Sequence, residues 1–274
     1  MLYYIELCDK YTGLTNQLNN LVSAIVKCIQ EKISILVVGK FLMQIYTNNY
    51  CPISKILCLN TLNHFLRERY RLTLIDSYNI SKKDRRFLHR LKIGDSQLQT
   101  TSFATEIFKK IRFVPSLAIP AFQFVKTTLS QSNSSIMNVI HLRMEDDAII
   151  HWSKINDMTP EDFQRALTNK YIQLIQQHIV DKSQMTVILS ASLNNEVVSY
   201  LRNNGYAFSF LKKTDDVTGN SNSKREVNAV LDMIIGKQCN GIFIGCGGST
   251  FSDLLCKLMP ENIPKYLFDI NHMS

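Results

Sequence analysis

Glycine and proline are scarce in this sequence, since its 274 residues contain 10 glycines and 6 prolines. This scarcity argues against long disordered linkers. Long apolar runs are also missing, and no stretch approaches the ~20 residues that a membrane-spanning helix needs. The first nine residues contain Glu6 and Asp9 but no basic segment, so they indicate a first strand rather than a signal peptide. We therefore expect a cytoplasmic protein with no transmembrane segment.

Paired cysteines and several well-known catalytic motifs are missing too. The seven cysteines sit singly, without any C-x-x-C pair, which favours reduced, buried thiols over a disulfide framework or a zinc site. There is no G-x-x-x-x-G-K-[ST] loop, no G-x-G-x-x-G after a predicted strand and no G-x-S-x-G turn. These absences argue against P-loop ATPases, dinucleotide-dependent dehydrogenases and α/β-hydrolases.

Basic residues outnumber acidic ones, and the formal net charge is +8. Such a charge favours anionic partners: nucleotides, acidic glycans, membranes or nucleic acids. The excess is concentrated in one cluster, formed by Arg67, Arg69, Arg71, Lys82, Lys83, Arg85, Arg86, Arg90 and Lys92. A solvated surface is the favoured interpretation of this cluster, and a nucleic-acid site is the weaker alternative. We expect no nucleic-acid partner.

Strand and helix patterns alternate along the chain. Apolar runs at 3–7 and 33–38 predict strands, and helical spacing between Leu14 and Ile29 predicts the helix that joins them. In the second half, predicted strands at 136–142, 185–189, 206–211, 242–244 and 265–270 alternate with predicted helices at 159–180, 194–203 and 224–238. This alternation predicts an α/β fold with doubly wound parallel sheets.

Residues 41–135 are less regular. The patterns predict helices at 61–69 and 101–111 and a strand at 72–75, and they predict that Pro115 and Pro120 break the chain. The run Gln-Ser-Asn-Ser-Ser at 131–135 predicts a linker between two halves, 1–130 and 136–274. Residues 215–223 are predicted to form a polar loop.

A glycine-rich turn follows the predicted strand at 242–244. Ser249 or Thr250 then occupies the N-cap position of a helix with apolar residues at Phe251, Leu254 and Leu255. Glycines let backbone N–H groups approach a phosphate, and a helix N-terminus favours negative charge. The stretch therefore predicts an anion site, with an ordinary strand-to-helix turn as the alternative.

Three predicted strands end in polar groups: Arg143, Ser190, and the glycine–hydroxyl turn. Ligands of parallel sheets bind at the carboxyl ends of strands, so these groups could share one crevice. An arginine can neutralise a departing diphosphate while the helix start holds its phosphates. A carboxylate beyond the arginine, Asp147 or alternatively Glu145, can accept a proton from a hydroxyl. This combination describes metal-independent glycosyl transfer.

Metal and histidine sites are weaker hypotheses. Residues Glu145-Asp146-Asp147 could hold Mg²⁺ against a diphosphate, but no spaced D-x-D motif is present. A lone histidine at a strand end, His141, is more typical of a core residue than of a metal ligand. We expect no metal and no resident cofactor.

Three segments resemble, in order and spacing, the motif regions of the GDP-fucose O-fucosyltransferase family. They are Gly13-Leu14-Thr15-Asn16-Gln17-Leu18, His141-Leu142-Arg143-Met144-Glu145-Asp146-Asp147 and Gly248-Ser249-Thr250-Phe251-Ser252. The resemblance implies a GT-B fold, in which two Rossmann-like halves face a central cleft. It also implies a donor held mainly by the second half, and inversion at the sugar carbon without a metal.

The same resemblance implies roles for individual residues. Arg143 would bind the donor diphosphate and support the leaving group. The other positions implied to bind the donor are Gly13, Asn16, His141, Ser190, Ser192, Asp232, Gly248, Ser249, Thr250 and Phe251. Asp147 or Glu145 would serve as the general base.

The first motif departs from the animal forms of the family, so the donor stays open. GDP-fucose is the predicted donor, and a UDP-sugar such as UDP-xylose is the alternative. The acceptor is predicted to be a hydroxyl of an oligosaccharide or glycoprotein. A non-catalytic nucleotide- or glycan-binding module is the alternative of another class. The abundance of Lys, Asn and Ile suits a bacterial or viral source.

Overall fold

The computed structural model describes residues 2–7, 13–41, 51–92, 98, 101–191, 193–212 and 224–273, without the side chains of 224 and 225. It divides into two compact units. Unit 1 comprises Met1–Ile119 and Thr214–Leu231, and unit 2 comprises Pro120–Lys213 and Asp232–Ser274. The predicted halves, 1–130 and 136–274, differ from these units in two ways. The division lies after Ile119, and residues 214–231 belong to unit 1 although they follow most of unit 2 in the chain.

Strands and helices alternate through the described residues. The strands are β1 (Leu2–Ile5), β2 (Ile35–Val38), β3 (Thr73–Asp76), β4 (Leu88–Arg90), β5 (Met137–His141), β6 (Met185–Leu189), β7 (Phe208–Ser209), β8 (Phe243–Gly247) and β9 (Lys265–Asp269). The α-helices are α1 (Leu14–Gln30), α2 (Leu59–Tyr70), α3 (Ser102–Lys110), α4 (Pro115–Ser132), α5 (Asp146–Ile155), α6 (Pro160–His178), α7 (Glu196–Asn203), α8 (Lys224–Gly236) and α9 (Thr250–Leu258).

Unit 1 contains a parallel sheet of strand order β3-β2-β1-β4. Its β-branched strand β2 is almost entirely buried, as expected of a central strand covered on both faces. Helix α1 buries the apolar stripe that the sequence predicts, including Leu18, Leu21 and Ile25. The predicted βαβ unit at the start of the chain is confirmed.

Unit 2 contains a second parallel sheet, of strand order β7-β6-β5-β8-β9. Strands β5 and β6 are buried at every residue. Helix α6 begins as predicted, because the Thr159 side chain accepts a hydrogen bond from the Asp162 N–H and Pro160 occupies the first turn. Its apolar stripe, Phe163, Leu167, Tyr171 and Ile175, is fully buried. Doubly wound parallel sheets are therefore confirmed.

Four local predictions are wrong or incomplete. Helix α4 runs through Pro120, which lies on an exposed side of the helix, where solvent can bind the carbonyl that the proline leaves without a donor. The same helix extends to Ser132, so the predicted linker at 131–135 begins inside it. Strand β8 continues to Gly247, so two glycines of the predicted turn belong to the strand. The strand predicted at 206–211 is reduced to the two residues of β7.

Soon after Arg143 the chain forms helix α5, for which the sequence patterns gave no prediction. Asp146 and Asp147 occupy its first turn, where acidic side chains stabilise the positive end of the helix dipole. The polar loop predicted at 215–223 lies outside the described residues. None of the helices in the described ranges has the length and apolar character needed to cross a bilayer.

Candidate active site

The candidate site lies where the strand order of unit 2 reverses. From β5 the chain adds β6 and β7 on one side of the sheet, and it then adds β8 and β9 on the other. The carboxyl ends of β5 and β8 therefore border the point where parallel sheets bind ligands. His141 ends β5 with Arg143 two residues beyond it, and Ser249 follows β8. The sequence placed its two principal candidates at this point of the sheet.

His141 joins the end of β5 to the start of α9. Its Nδ1 atom lies 2.8 Å from the Ser252 hydroxyl, and its ring stacks on Phe251 with centroids 4.5 Å apart. Gly245 makes this approach possible, because a Cβ atom there would lie 2.7 Å from the Ser252 hydroxyl oxygen. The first turn of α9 is thereby held against the strand that leads to Arg143.

Tyr171 fixes the backbone between His141 and Arg143. Its hydroxyl donates to the His141 carbonyl at 2.8 Å and accepts from the Arg143 N–H at 3.1 Å. Burial raises its pKa well above the ordinary value, so the hydroxyl stays protonated and keeps its donor role. The ring packs edge-on against Phe268 of β9. Tyr171 thus fixes the backbone just after β5 and, with it, the position from which the Arg143 side chain extends.

Arg143 is paired with both carboxylates that were predicted as candidate bases, Glu145 and Asp147. Its Nη1 atom donates to Glu145 Oε2 at 2.8 Å, and its Nη2 atom lies 3.6 Å from Asp147 Oδ2. The Glu145 side chain is 18% exposed and the Asp147 side chain 58% exposed. The partly buried, closely bonded Glu145 is suited to orient the guanidinium, and the more exposed Asp147 is the carboxylate that an incoming hydroxyl can reach more easily.

A group of hydroxyls surrounds the Cys246 thiol beneath the site. Burial raises the pKa of Cys246 to about 11, while hydrogen bonds with Tyr171, Ser252 and Ser249 and the charge of Arg143 partly offset this rise. The contact between His141 and Ser252 joins the end of β5 to the first turn of α9. Arg143, two residues beyond His141, and the glycine–hydroxyl turn therefore lie at the same end of the unit 2 sheet.

Ser249 occupies the predicted N-cap position of α9 but makes no side-chain hydrogen bond to the first turn. The side chains of Thr101, Thr159 and Asn195 do cap their helices. The first turn of a helix has backbone N–H groups without intrahelical partners. In α9 the N-cap side chain does not bind those donors, which is compatible with an anion at this end of the helix. The N-cap residues of α1, α2 and α5 likewise make no such bond, so this feature is not specific to α9.

Gly248 shapes this turn through its conformation. Its φ of +86° lies in the left-handed region, and a Cβ atom there would lie 2.8 Å from the Asn271 amide nitrogen. The Gly248 N–H donates to the Asp253 carboxylate, whose pKa burial raises. The structure shows a conformational role for Gly248, and its contact with the donor phosphates stays a prediction.

Other predicted donor residues of unit 2 lie near the same region. Ser190 is buried directly after β6, and Asp232 is buried on α8. Gly236, one turn beyond Asp232 and on the same side of the helix, packs closely, since a Cβ atom there would lie 2.6 Å from the Leu255 side chain of α9 and 3.0 Å from that of Leu189 in β6. Thr250 is the first residue of α9. Ser192 lies outside the described residues.

Gly13 and Asn16 belong to unit 1. Gly13 is the N-cap residue of α1, with extended backbone, and Asn16 is exposed in the first turn. The Leu14 N–H donates to the buried Glu226 carboxylate at 2.7 Å. A carboxylate of the protein thus binds the N-terminus of α1, where the donor-contacting motif was predicted.

Sequence patterns did not point to Tyr171, Ser252 or Glu226. Tyr171 occupies an apolar stripe, and a buried tyrosine hydroxyl requires a partner, which was an available signal. Ser252 similarly interrupts the apolar face of α9. Glu226 is 212 positions from its partner, Leu14, and no local pattern connects them.

In the ranges that the structure describes, no three His, Cys, Asp or Glu side chains come together as a potential metal site. Metal independence stays a prediction.

Comparison with solved structures shows which proteins share this fold. POFUT1 in complex with GDP-fucose superimposes with a TM-score of 0.65 and 10% identity, over 97% of this chain and 98% of that one. NodZ, an alpha-1,6-fucosyltransferase soaked with GDP-fucose, gives a TM-score of 0.61 at 11% identity, over 95% and 94% of the two chains. NodZ from Bradyrhizobium gives the same values.

The chain has the fold of these fucosyltransferases. The predicted α/β fold of GT-B type is confirmed, and so is the predicted resemblance to fucosyltransferases at the level of the fold. No protein-family model matches the chain, and no curated protein matches it either. At about one identical residue in nine, the fucosyltransferase fold does not by itself assign the residues of the site.

Proposed function

We propose that this protein is an inverting glycosyltransferase that moves fucose from GDP-fucose to a hydroxyl of a glycan without a metal ion. The observation that supports this most strongly is the position of Arg143 and the N-terminus of α9 at the switch point of the unit 2 sheet. Among the solved structures with the same fold, POFUT1 is in complex with GDP-fucose and NodZ was soaked with it. UDP-xylose is the alternative donor.

In the proposed reaction an acceptor hydroxyl attacks the anomeric carbon of fucose. The bond from that carbon to the β-phosphate oxygen breaks, and its electron pair leaves with GDP. Arg143 and the backbone donors at the start of α9 stabilise the charge that develops on the diphosphate. Attack from the face opposite the leaving group inverts the configuration.

The proton of the acceptor hydroxyl passes to Asp147. This assignment follows from the greater exposure of Asp147 and its longer distance to the guanidinium, compared with Glu145. Glu145 is proposed to hold Arg143 in the orientation that meets the diphosphate. Asp147→Asn is expected to lower kcat and leave the affinity for GDP unchanged, whereas Glu145→Gln is expected to weaken GDP binding.

The experiment is a transfer and donor-hydrolysis assay with GDP-fucose and UDP-xylose in the presence of EDTA. Turnover of GDP-fucose in EDTA is the expected result. Arg143→Ala is expected to reduce it roughly 100-fold or more, the range for loss of one strong donor to a developing anion. Arg165→Ala is the matched control, since Arg165 is an exposed arginine of α6 whose ion partner is Asp162.

Each outcome separates the alternatives. Turnover of UDP-xylose alone would establish the other donor. Binding of GDP without hydrolysis or transfer would identify a nucleotide-binding module. Full activity of Arg143→Ala would remove the proposed role of that residue.

A further inference from the structure

A second feature lies in unit 1, on the connection between β3 and β4. These strands form the two opposite edges of the sheet, and residues 77–87 join them through two 3-10 turns, Ser77–Asn79 and Asp84–Phe87. All seven residues from 81 to 87 are exposed. We call residues 77–87 the basic crossover.

Hydrogen bonds hold the backbone of the basic crossover in place. The buried Asp76 carboxylate accepts from the Tyr78 N–H at 3.0 Å and from the Ser54 hydroxyl at 2.8 Å. The Ser81 hydroxyl donates to Asp84 at 2.6 Å, and Arg85 donates to the Ser77 carbonyl at 2.9 Å. The segment is therefore an ordered surface.

The charge of the basic crossover is strongly positive. Lys82, Lys83 and Arg86 form no ion pair with any carboxylate in the described part of the chain, and the acidic residue within the segment, Asp84, is bonded to Ser81. The wider cluster from 67 to 92 contains nine basic and three acidic residues, so it has a net charge of +6 out of +8 for the whole chain.

Two aromatic side chains are exposed on the same connection. Tyr78 is 53% exposed and Phe87 is 67% exposed. Contact with a sulfated polysaccharide requires the cations alone and does not account for an exposed phenylalanine ring, whereas the bases of a single-stranded nucleic acid can stack on such a ring. A membrane interface accounts for both, because aromatic rings enter the boundary of headgroups and acyl chains while Lys and Arg bind anionic headgroups.

The edge of the sheet explains only part of the cluster. Arg90 and Lys92 lie in or just after the edge strand β4, where cations discourage pairing with another strand. The cations of the basic crossover precede this strand and have no such role.

We propose that the basic crossover is a docking surface for anionic phospholipid membranes. The cations bind the headgroups, and Phe87 and Tyr78 insert at the interface. This surface is independent of the proposed transferase activity, so its test does not require turnover.

The experiment measures sedimentation of the full chain with vesicles at increasing salt. One set contains phosphatidylcholine alone, and the other contains phosphatidylserine at about one third of the lipid. Binding to the anionic vesicles is expected, and it weakens as salt screens the charges. The triple variant Lys82→Gln, Lys83→Gln, Arg86→Gln is expected to bind about 100-fold more weakly, at roughly fivefold for each cation near an anionic surface.

The matched control removes three exposed cations from unit 2, by Lys126→Gln, Lys154→Gln and Arg202→Gln, and has the same net charge as the first variant. It is expected to bind vesicles within about twofold of the unmodified chain, because its three cations are not part of the basic crossover. Thermal unfolding of all variants verifies that they are folded.

Phe87→Ser distinguishes a membrane from a soluble polyanion. It is expected to weaken vesicle binding about fivefold to tenfold through the loss of a partly inserted ring, and to leave binding of heparin, which contacts the cations alone, unchanged. The proposal is overturned if the unmodified chain does not bind anionic vesicles, if the two triple variants bind alike, or if Phe87→Ser has no effect on vesicle binding. It is also overturned if single-stranded RNA binds more tightly than the vesicles and Phe87→Ser weakens that binding, as base stacking on the ring requires.

Discussion

The hydroxyl of Tyr171 offers a sharp test of how the candidate site is built. Tyr171→Phe removes one oxygen atom and leaves the ring, its stripe on α6 and its contact with Phe268 in place. Two backbone groups lose their partner: the His141 carbonyl, bonded at 2.8 Å, and the Arg143 N–H, bonded at 3.1 Å.

The expected cost follows from the burial of these groups. Leaving a buried polar group without its hydrogen bond costs about 1–3 kcal/mol, so the free energy of unfolding is expected to fall by about 2 kcal/mol. The same bonds fix the backbone of Arg143 and therefore the position of its guanidinium. The affinity for GDP is expected to fall about tenfold, which corresponds to about 1.4 kcal/mol. Urea denaturation measures the first effect, and calorimetric titration with GDP measures the second.

Tyr266→Phe is the matched control, since it removes a hydroxyl from β9 in the same unit and leaves a ring stacked on His178. Little change is expected in either measurement. If Tyr171→Phe behaves like this control in both, the hydroxyl does not hold the turn and the account of how Arg143 is positioned fails.

Two further predictions concern the turn after β8. Gly248→Ala is expected to lower the free energy of unfolding by about 1–2 kcal/mol in urea denaturation, because a residue with a Cβ is strained in the left-handed region. Gly247→Ala is the control: its Cβ would lie 3.5 Å from the nearest atom, the Phe268 carbonyl oxygen, and the expected loss is less than half as large. The pKa of Cys246 rises from 9.0 to about 11 on folding, so the unfolded chain loses this proton first and stability falls as the pH rises from 9 to 11. In Cys246→Ala the free energy of unfolding is expected to decrease less steeply with pH, by about 1.4 kcal/mol per pH unit. An unchanged slope would contradict the raised pKa.

Elements with strong local signals were predictable from the sequence. The apolar run at 185–189 matches β6 at both ends, and Thr159 and Pro160 mark the start of α6. Helix α5 was missed because its acidic first turn resembles a polar loop. Pro120 was misjudged because a proline on an exposed helix face costs less than one in the core.

The site was predictable only in part, for a physical reason. Arg143 and Ser249 are at strand ends, and the topology of a parallel sheet brings such ends together. The partners that fix them come from elsewhere in the chain: Tyr171 is 28 residues from Arg143, and Ser252 is 111 residues from His141. Tertiary packing creates these bonds, and no periodic pattern encodes them.

The central claim is that Arg143 and the start of α9 bind the diphosphate of the donor. Titration calorimetry in EDTA, comparing GDP with guanosine for the unmodified chain and for Arg143→Ala, tests it most directly. The account predicts that the unmodified chain prefers GDP by roughly 100-fold and that Arg143→Ala loses most of this preference, since a charge-assisted bond to phosphate contributes about 2–3 kcal/mol. An equal preference for GDP over guanosine in both proteins would contradict it.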